Sequence, residues 1–135
     1  PEKTFELSVS PPGLMLAMEQ QDVEETIGNL LDNAARYAET QVRIGAHPAP
    51  ENVQGGDPGR RNWIIVDVED DGPGLEPDEI AVAIKRGKRL DESKPGTGLG
   101  LSIVSEIAGE YHGKLGLSRA GIGGLKAELV LPGLN

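Results

Sequence analysis

The 135-residue chain has no cysteine, which excludes a disulfide framework and thiolate metal sites and fits a reducing cytoplasm. Aromatic residues are scarce, with one Phe, one Trp and two Tyr, so the core must be aliphatic. Cations are short: 13 Lys and Arg stand against 22 Asp and Glu, a formal charge of −9. Such a chain is poorly suited to a phosphate backbone, and no nucleic-acid partner is expected. No apolar run approaches the ~20 residues that span a bilayer, and no signal peptide is visible. The chain opens on Pro1 and not on Met, which suggests a piece of a larger protein. No repeat or linker divides it, so a single domain over residues 1–135 is expected.

Hydrophobic periodicity places the elements. Phe5, Leu7 and Val9 alternate with polar residues, as in a half-buried strand, and Leu14 to Met18 reads as a second short strand. Asp22 and Glu25 have capping-box spacing. Val23, Ile27, Leu30, Leu31, Ala34 and Ala38 then share one helical face, while Asn29, Asn33 and Arg36 form a polar strip. Residues 41–46 read as a strand, the Pro- and Gly-rich stretch 47–62 as a mobile loop, and Trp63 to Glu69 as a strong strand. A short helix is expected over 78–86, after Pro77 and before Gly87, then an irregular basic stretch over 87–98. Leu99 to Tyr111 reads as a helix ended by Gly113, and Lys114–Arg119 and Leu125–Leu131 as closing strands around a Gly121–Gly124 turn. With strands in hairpin-like pairs, this order predicts an α/β sandwich. Its mixed, mostly antiparallel sheet of about five strands would be covered on one face by about three helices.

Three runs carry chemistry. Asn33 lies mid-helix, where Asn has poor propensity. Its amide oxygen suits Mg²⁺, which takes hard oxygen donors, and Asn29 lies one turn earlier. Arg36 could reach a phosphate and Tyr37 could border the site. Asp70-Asp71-Gly72-Pro73-Gly74 follows a strand directly: a carboxylate can accept from an exocyclic amine, and bare glycines let a flat base approach the backbone. Gly96-Thr97-Gly98-Leu99-Gly100-Leu101 opens a helix, whose free N–H groups suit an anion. Lys85, Arg86, Lys88, Arg89 and Lys94 crowd just before it. Alone, each run has a plain alternative: two solvated asparagines, an ordinary Asp-Gly and Pro-Gly turn, a glycine hinge beside a solvated basic stretch. The spacing matches neither the dinucleotide fingerprint nor a Walker A loop. His47, in a Pro-rich loop, and His112, before a helix-ending Gly, read as structural or solvated.

Together, and in this order, the runs resemble the N, G1 and G2 boxes of the ATP-binding domain of sensor histidine kinases. That domain belongs to a superfamily shared with gyrase, the heat-shock chaperone ATPase and MutL. The resemblance extends from about residue 3 to residue 132. Val68 to Gly74, Arg86-Gly87, Arg89, Pro95-Gly96-x-Gly98 and Glu106-Ile107 through Tyr111-x-Gly113-Lys114 are similar to the PhoQ-type magnesium sensor kinases.

The resemblance implies a Bergerat-type ATP-binding fold with ATP and Mg²⁺ as cofactors. Asn33 and Asn29 would bind the metal, Asp70 would bind adenine, and Gly72 and Gly74 would shape that pocket. Gly96, Thr97, Gly98, Leu99 and Gly100 would belong to a mobile ATP lid. Arg36, Tyr37, Lys94 and Arg89 would meet the nucleotide or its phosphates. Asn33 and Lys94 would position the reactants, with no residue acting as base or nucleophile. A phenylalanine box before the lid is replaced by Ile84 and Lys85, so an aromatic anchor is missing there. Members that hydrolyse ATP carry a Glu where this chain has Asn29, and an amide does not activate water.

The implied activity is therefore phosphoryl transfer to a histidine on a separate dimerisation domain of the same kinase. From there the phosphoryl group would pass to a response regulator receiver domain. The isolated domain is expected to be a monomer, and the parent a homodimeric inner-membrane sensor with this domain in the cytoplasm. An anti-sigma-type serine kinase, a gyrase-like ATPase module and a non-catalytic interaction domain that retains the fold are the alternatives.

Overall fold

The computed structural model describes residues 3–79 and 99–134. Five strands form one sheet: β1 (Thr4–Val9), β2 (Gln41–Pro48), β3 (Trp63–Asp70), β4 (Lys114–Arg119) and β5 (Leu125–Pro132), in the order β1-β2-β3-β5-β4. β1 and β2 are parallel and the other pairs antiparallel, so the sheet is mixed and mostly antiparallel as expected. Two helices, α1 (Gln20–Tyr37) and α2 (Leu99–Glu110), pack on each other and on one face of the sheet. A further helix begins at residues 77–79; the rest of the helix expected over 78–86, and the basic stretch 87–98, lie outside the described residues.

Alternation in β3 explains its central place. Ile64, Val66 and Val68 face the helices and join Leu30, Ala34, Val42, Leu101, Val104, Leu129 and Leu131 in the main core. Trp63 and Ile65 face the other way and join Val130, with Ala49 and Val53 of the loop between β2 and β3 packed over them. That loop was expected to be mobile, yet it is tied down. Gly56 N–H donates to the His112 carbonyl at 2.6 Å, the Arg60 guanidinium donates to the Gly133 carbonyl at 2.6 Å, and the Trp63 indole donates to the Arg60 carbonyl at 2.9 Å. β2 also runs to Pro48, beyond the residue 46 expected.

Four other expectations are corrected. The hairpin-like pairing expected of β1 with residues 14–18 does not form; β1 pairs instead with β2, in parallel, through a crossover by α1. β1 is not half-buried but exposed along its whole length, because the helices do not reach over the sheet's edge. Residues 14–18 form no strand: one isolated bridge joins Leu16 to Gly133, and the segment lies against the end of β5 while Leu14, Leu16 and Met18 pack on the core. The capping box at Asp22 and Glu25 does not form either. The helix starts at Gln20, and the Tyr111 hydroxyl donates to Asp22 Oδ2 at 2.5 Å and accepts from Glu19 N–H at 3.2 Å. A residue from the end of α2 thus satisfies the start of α1. At the end of α2, His112 takes the left-handed conformation, with φ of 63°. No helix among the described residues is long and apolar enough to cross a membrane.

Two carboxylates make opposite contributions to stability. Asp71 accepts from the backbone N–H groups of Glu39 (2.9 Å), Thr40 (3.0 Å) and Gln41 (3.1 Å) and from the Thr40 hydroxyl (2.5 Å), so it fixes the α1–β2 connection. The Thr40 hydroxyl and these N–H groups hold its carboxyl well below the usual range. Asp67, on the helix-free face, lies over Gly45 and opposite Glu128. Burial pushes its carboxyl up, Glu69 and Glu128 add to that, and Lys126 and His47 oppose it.

A lowered folded-state pKa stabilises above the unfolded value and is lost as pH falls through it; a raised one does the reverse. Asp71→Asn should therefore lower Tm at pH 7 by more than at pH 3. Asp67→Asn should raise Tm at pH 7 and lose that gain at pH 3. Thermal melts of both variants across this range check the two signs.

Candidate functional site

The site forms where the C-terminal end of β3 meets the polar side of α1. Asp70 is 2% exposed at the strand's end. Its Oδ1 accepts from Gly72 N–H at 2.9 Å and from Leu125 N–H at 3.4 Å. Both donors go to the same oxygen, and Oδ2 takes no hydrogen bond among the described residues. Burial pushes the carboxyl up, and the two N–H donors act against it.

Glycines make room around this group. A Cβ on Gly72 would overlap the Tyr37 carbonyl, so the turn after β3 presses directly on the last turn of α1. A Cβ on Gly124 would overlap Asp70 Oδ1 and come within 2.7 Å of Gly72 N. Gly74 has φ of 74° and lies against the Gly124 backbone. Asp70, Gly72, Gly74 and Tyr37 are therefore brought together as the sequence suggested. Gly124 was read only as part of a turn. Its neighbour Gly123 supplies the positive φ of 116° that the turn needs, which leaves Gly124 for the close approach to Asp70. The doubled glycine was the available signal.

Along α1, Asn29 and Asn33 are half-buried, Tyr37 is half-buried and Arg36 is exposed. The Asn29 amide donates to the Glu25 carbonyl at 2.7 Å, which directs its Oδ1 outward. A Cβ on Gly100, in the first turn of α2, would lie 3.3 Å from that Oδ1. The start of α2 thus approaches Asn29, while Gly72 approaches Tyr37. The eight helical steps from Asn29 to Tyr37 span about 12 Å, so one continuous surface joins the two ends of the site. Leu99 starts α2; Arg89, Lys94, Gly96, Thr97 and Gly98 lie outside the described residues.

Among the described residues no three His, Cys, Asp or Glu side chains converge to hold a metal. The donors available to one here are the neutral amide oxygens of Asn33 and Asn29. These suit a hard cation that arrives with phosphate oxygens and waters, and not a transition metal.

Comparison with known proteins agrees with this geometry. The family model described as histidine kinase-, DNA gyrase B-, and HSP90-like ATPase matches residues 18–134. The sensor protein kinase CarS of Pseudomonas aeruginosa is 40% identical over 123 residues, which cover 91% of this chain and 25% of that protein. The sensor protein PhoQ of Escherichia coli K12 is 36% identical over 124 residues, covering 92% of this chain and 23% of that protein. The chain thus spans about a quarter of the length of the curated relatives it matches. Among solved structures, the mycobacterial sensor histidine kinase MprB superposes with a TM-score of 0.71 at 27% identity, over 98% of this chain and 82% of that one. The catalytic domain of the histidine kinase ThkA does so at 0.76 and 19% identity, over 97% and 78%, a likeness of fold alone.

Gly124→Ala should destabilise the domain by about 1–3 kcal/mol, because its methyl meets backbone and a fixed carboxylate. Gly121→Ala, where nothing lies within 4 Å, should leave Tm nearly unchanged. Equal melting of the two variants would remove Gly124 from the site.

Proposed function

Because the chain belongs to the histidine kinase-, DNA gyrase B- and HSP90-like ATPase family, we propose that it is the catalytic ATP-binding domain of a sensor histidine kinase. It binds Mg-ATP and hands the γ-phosphate to a histidine on a separate dimerisation domain of the same kinase. The phosphoryl group then passes to the receiver domain of a response regulator. The parent is an inner-membrane sensor with this domain on the cytoplasmic side, and the similarity to PhoQ and CarS supports that setting.

The observation that carries the reading is Asp70, a carboxyl 2% exposed whose Oδ1 is held by the Gly72 and Leu125 N–H groups while Oδ2 takes no donor among the described residues. Oδ2 accepts the exocyclic amine of adenine, beside the turn that Gly72 and Gly74 shape. A base seated there directs the phosphates along α1, past Tyr37 and Arg36, toward Asn33, Asn29 and the start of α2. Asn33 and Asn29 offer amide oxygens to the metal. Bound Mg²⁺ would offset charge on the transferring phosphoryl group. Arg36 adds a positive charge on the same helix. Arg89, Lys94 and the glycines from Gly96 to Gly100 are assigned to the phosphate side as lid residues.

Asn29 separates transfer from hydrolysis. Its amide is already bonded to the Glu25 carbonyl and offers no basic group to a water. Rate enhancement then comes from positioning and charge neutralisation, and the acceptor histidine is its own nucleophile.

Asp70→Asn should weaken Mg-ATP binding at least tenfold, about 1.4 kcal/mol, since it turns an acceptor into a donor facing the adenine amine. Asn33→Ala should weaken binding in Mg²⁺ and change it little in EDTA. Calorimetric titration tests both, and wild-type affinity in the two variants would overturn the site assignment. Incubated alone with labelled ATP, the chain should take up no acid-labile phosphate; stable self-labelling would overturn the division of labour.

A further inference from the structure

The sheet has two open edges among the described residues, and they differ. β4 is guarded: Lys114 and Arg119 stand at its ends, and its inward Leu115 is buried beside α2. β1 has neither protection. Its six residues, Thr4–Val9, contain no proline and no cation. Phe5, Leu7 and Val9 are in register with Val42, Ile44 and Ala46, which turn toward the helix-side core. They therefore lie on the helix-bearing side, yet they are 55%, 69% and 39% exposed. Thr4, Glu6 and Ser8 take the other side, where Glu6 pairs with Arg43 at 3.4 Å. A free backbone edge and an apolar row on one strand call for a partner that satisfies both, and that partner is a second strand with apolar alternation.

We propose that β1 is a self-association site, pairing antiparallel with β1 of a second copy about a two-fold axis at Leu7. Two five-stranded sheets then become one of ten strands. Residues directly opposed in an antiparallel pair share a face. An axis at Leu7 sets Leu7 against Leu7 and Phe5 against Val9 on the helix side, and Glu6 against Ser8 on the other. Other registers fail on charge or shape. An axis at Glu6 opposes two carboxylates and sets Val9 against Lys3. An axis at Ser8 sets Phe5 against Pro11, which has no N–H to give. An axis between two residues opposes apolar with polar throughout.

The association is weak. Even with an aromatic that contributes about 150–250 Å², three side chains fall short of the roughly 800 Å² per partner of a standard interface. The chain's charge of −9 also repels a second copy, so salt strengthens the dimer. The isolated domain is thus a monomer only at low concentration.

Sedimentation equilibrium from about 10 μM to about 1 mM, at low and high salt, should show a concentration-dependent dimer favoured by salt. Leu7→Lys, at an exposed site that leaves the melt unchanged, should weaken it at least tenfold. The absence of native cysteine makes cross-linking clean. Leu7→Cys should form a disulfide-linked dimer on oxidation, and Glu6→Cys should not. A monomer at every concentration would overturn the proposal. So would a dimer that survives Leu7→Lys, or one that cross-links through Glu6→Cys and not through Leu7→Cys.

Discussion

Two adjacent carboxylates at the end of β3 hold the domain in its working shape. Asp70 turns inward, takes N–H bonds from Gly72 and Leu125, and joins β3 to the start of β5. Asp71 turns outward, gathers the N–H groups of Glu39, Thr40 and Gln41, and fixes the chain where α1 passes into β2. Successive residues leaving a strand point in opposite directions, so one dipeptide serves two junctions. Gly72 makes this possible: it lies so close to the Tyr37 carbonyl that any side chain there would push α1 off the strand end. The cradle for a ligand and the α1–β2 junction are thus set by the same few atoms.

α1 is held against α2 at its start and at its middle, by unlike means, and both bear on the site. At its start, the Tyr111 hydroxyl bridges Asp22 and the Glu19 N–H, tying the end of α2 to the beginning of α1. Further along, Gly100 lets the start of α2 approach Asn29. The helices are held at two points about seven residues apart on α1, roughly 10 Å. Asn29 and Asn33 therefore sit on a braced segment, and half-burial limits the rotamers available to their amides.

Local pattern made much of this legible. The alternation of Ile64, Val66 and Val68 identified the central strand, the 3.6-residue repeat of Leu30 and Ala34 identified the buried side of α1, and the closing strands fell at their expected bounds to within a residue. What escaped was decided by distant partners. Alternation in β1 tells which residues share a face, not whether another layer covers that face. Asp22 and Glu25 have the right spacing for a capping box, but a tyrosine 89 residues away takes Asp22 instead. The Pro- and Gly-rich loop looked free because its anchors, the carbonyls of His112 and Gly133, belong to other elements. Asp70 and Asp71 looked equivalent in sequence, and only their donors tell the inward-turned carboxylate from the junction-holding one.

Gly124 carries that lesson furthest. In sequence it is one of three glycines in a four-residue turn, and turn chemistry alone accounts for it. In the fold it is the residue whose bareness lets β5 begin against Asp70, with its own N–H given to the Asp70 carbonyl at 3.0 Å. The Asp70 carboxylate is thus fixed from both sides of the sheet's end, by the turn after β3 and by the turn before β5. A carboxylate held through one oxygen by two backbone donors cannot swing to follow a ligand, so its other oxygen has a fixed direction. In the proposed adenine site, recognition at Asp70 becomes a matter of which base presents a donor along that line, and an exocyclic amine does so where a carbonyl does not.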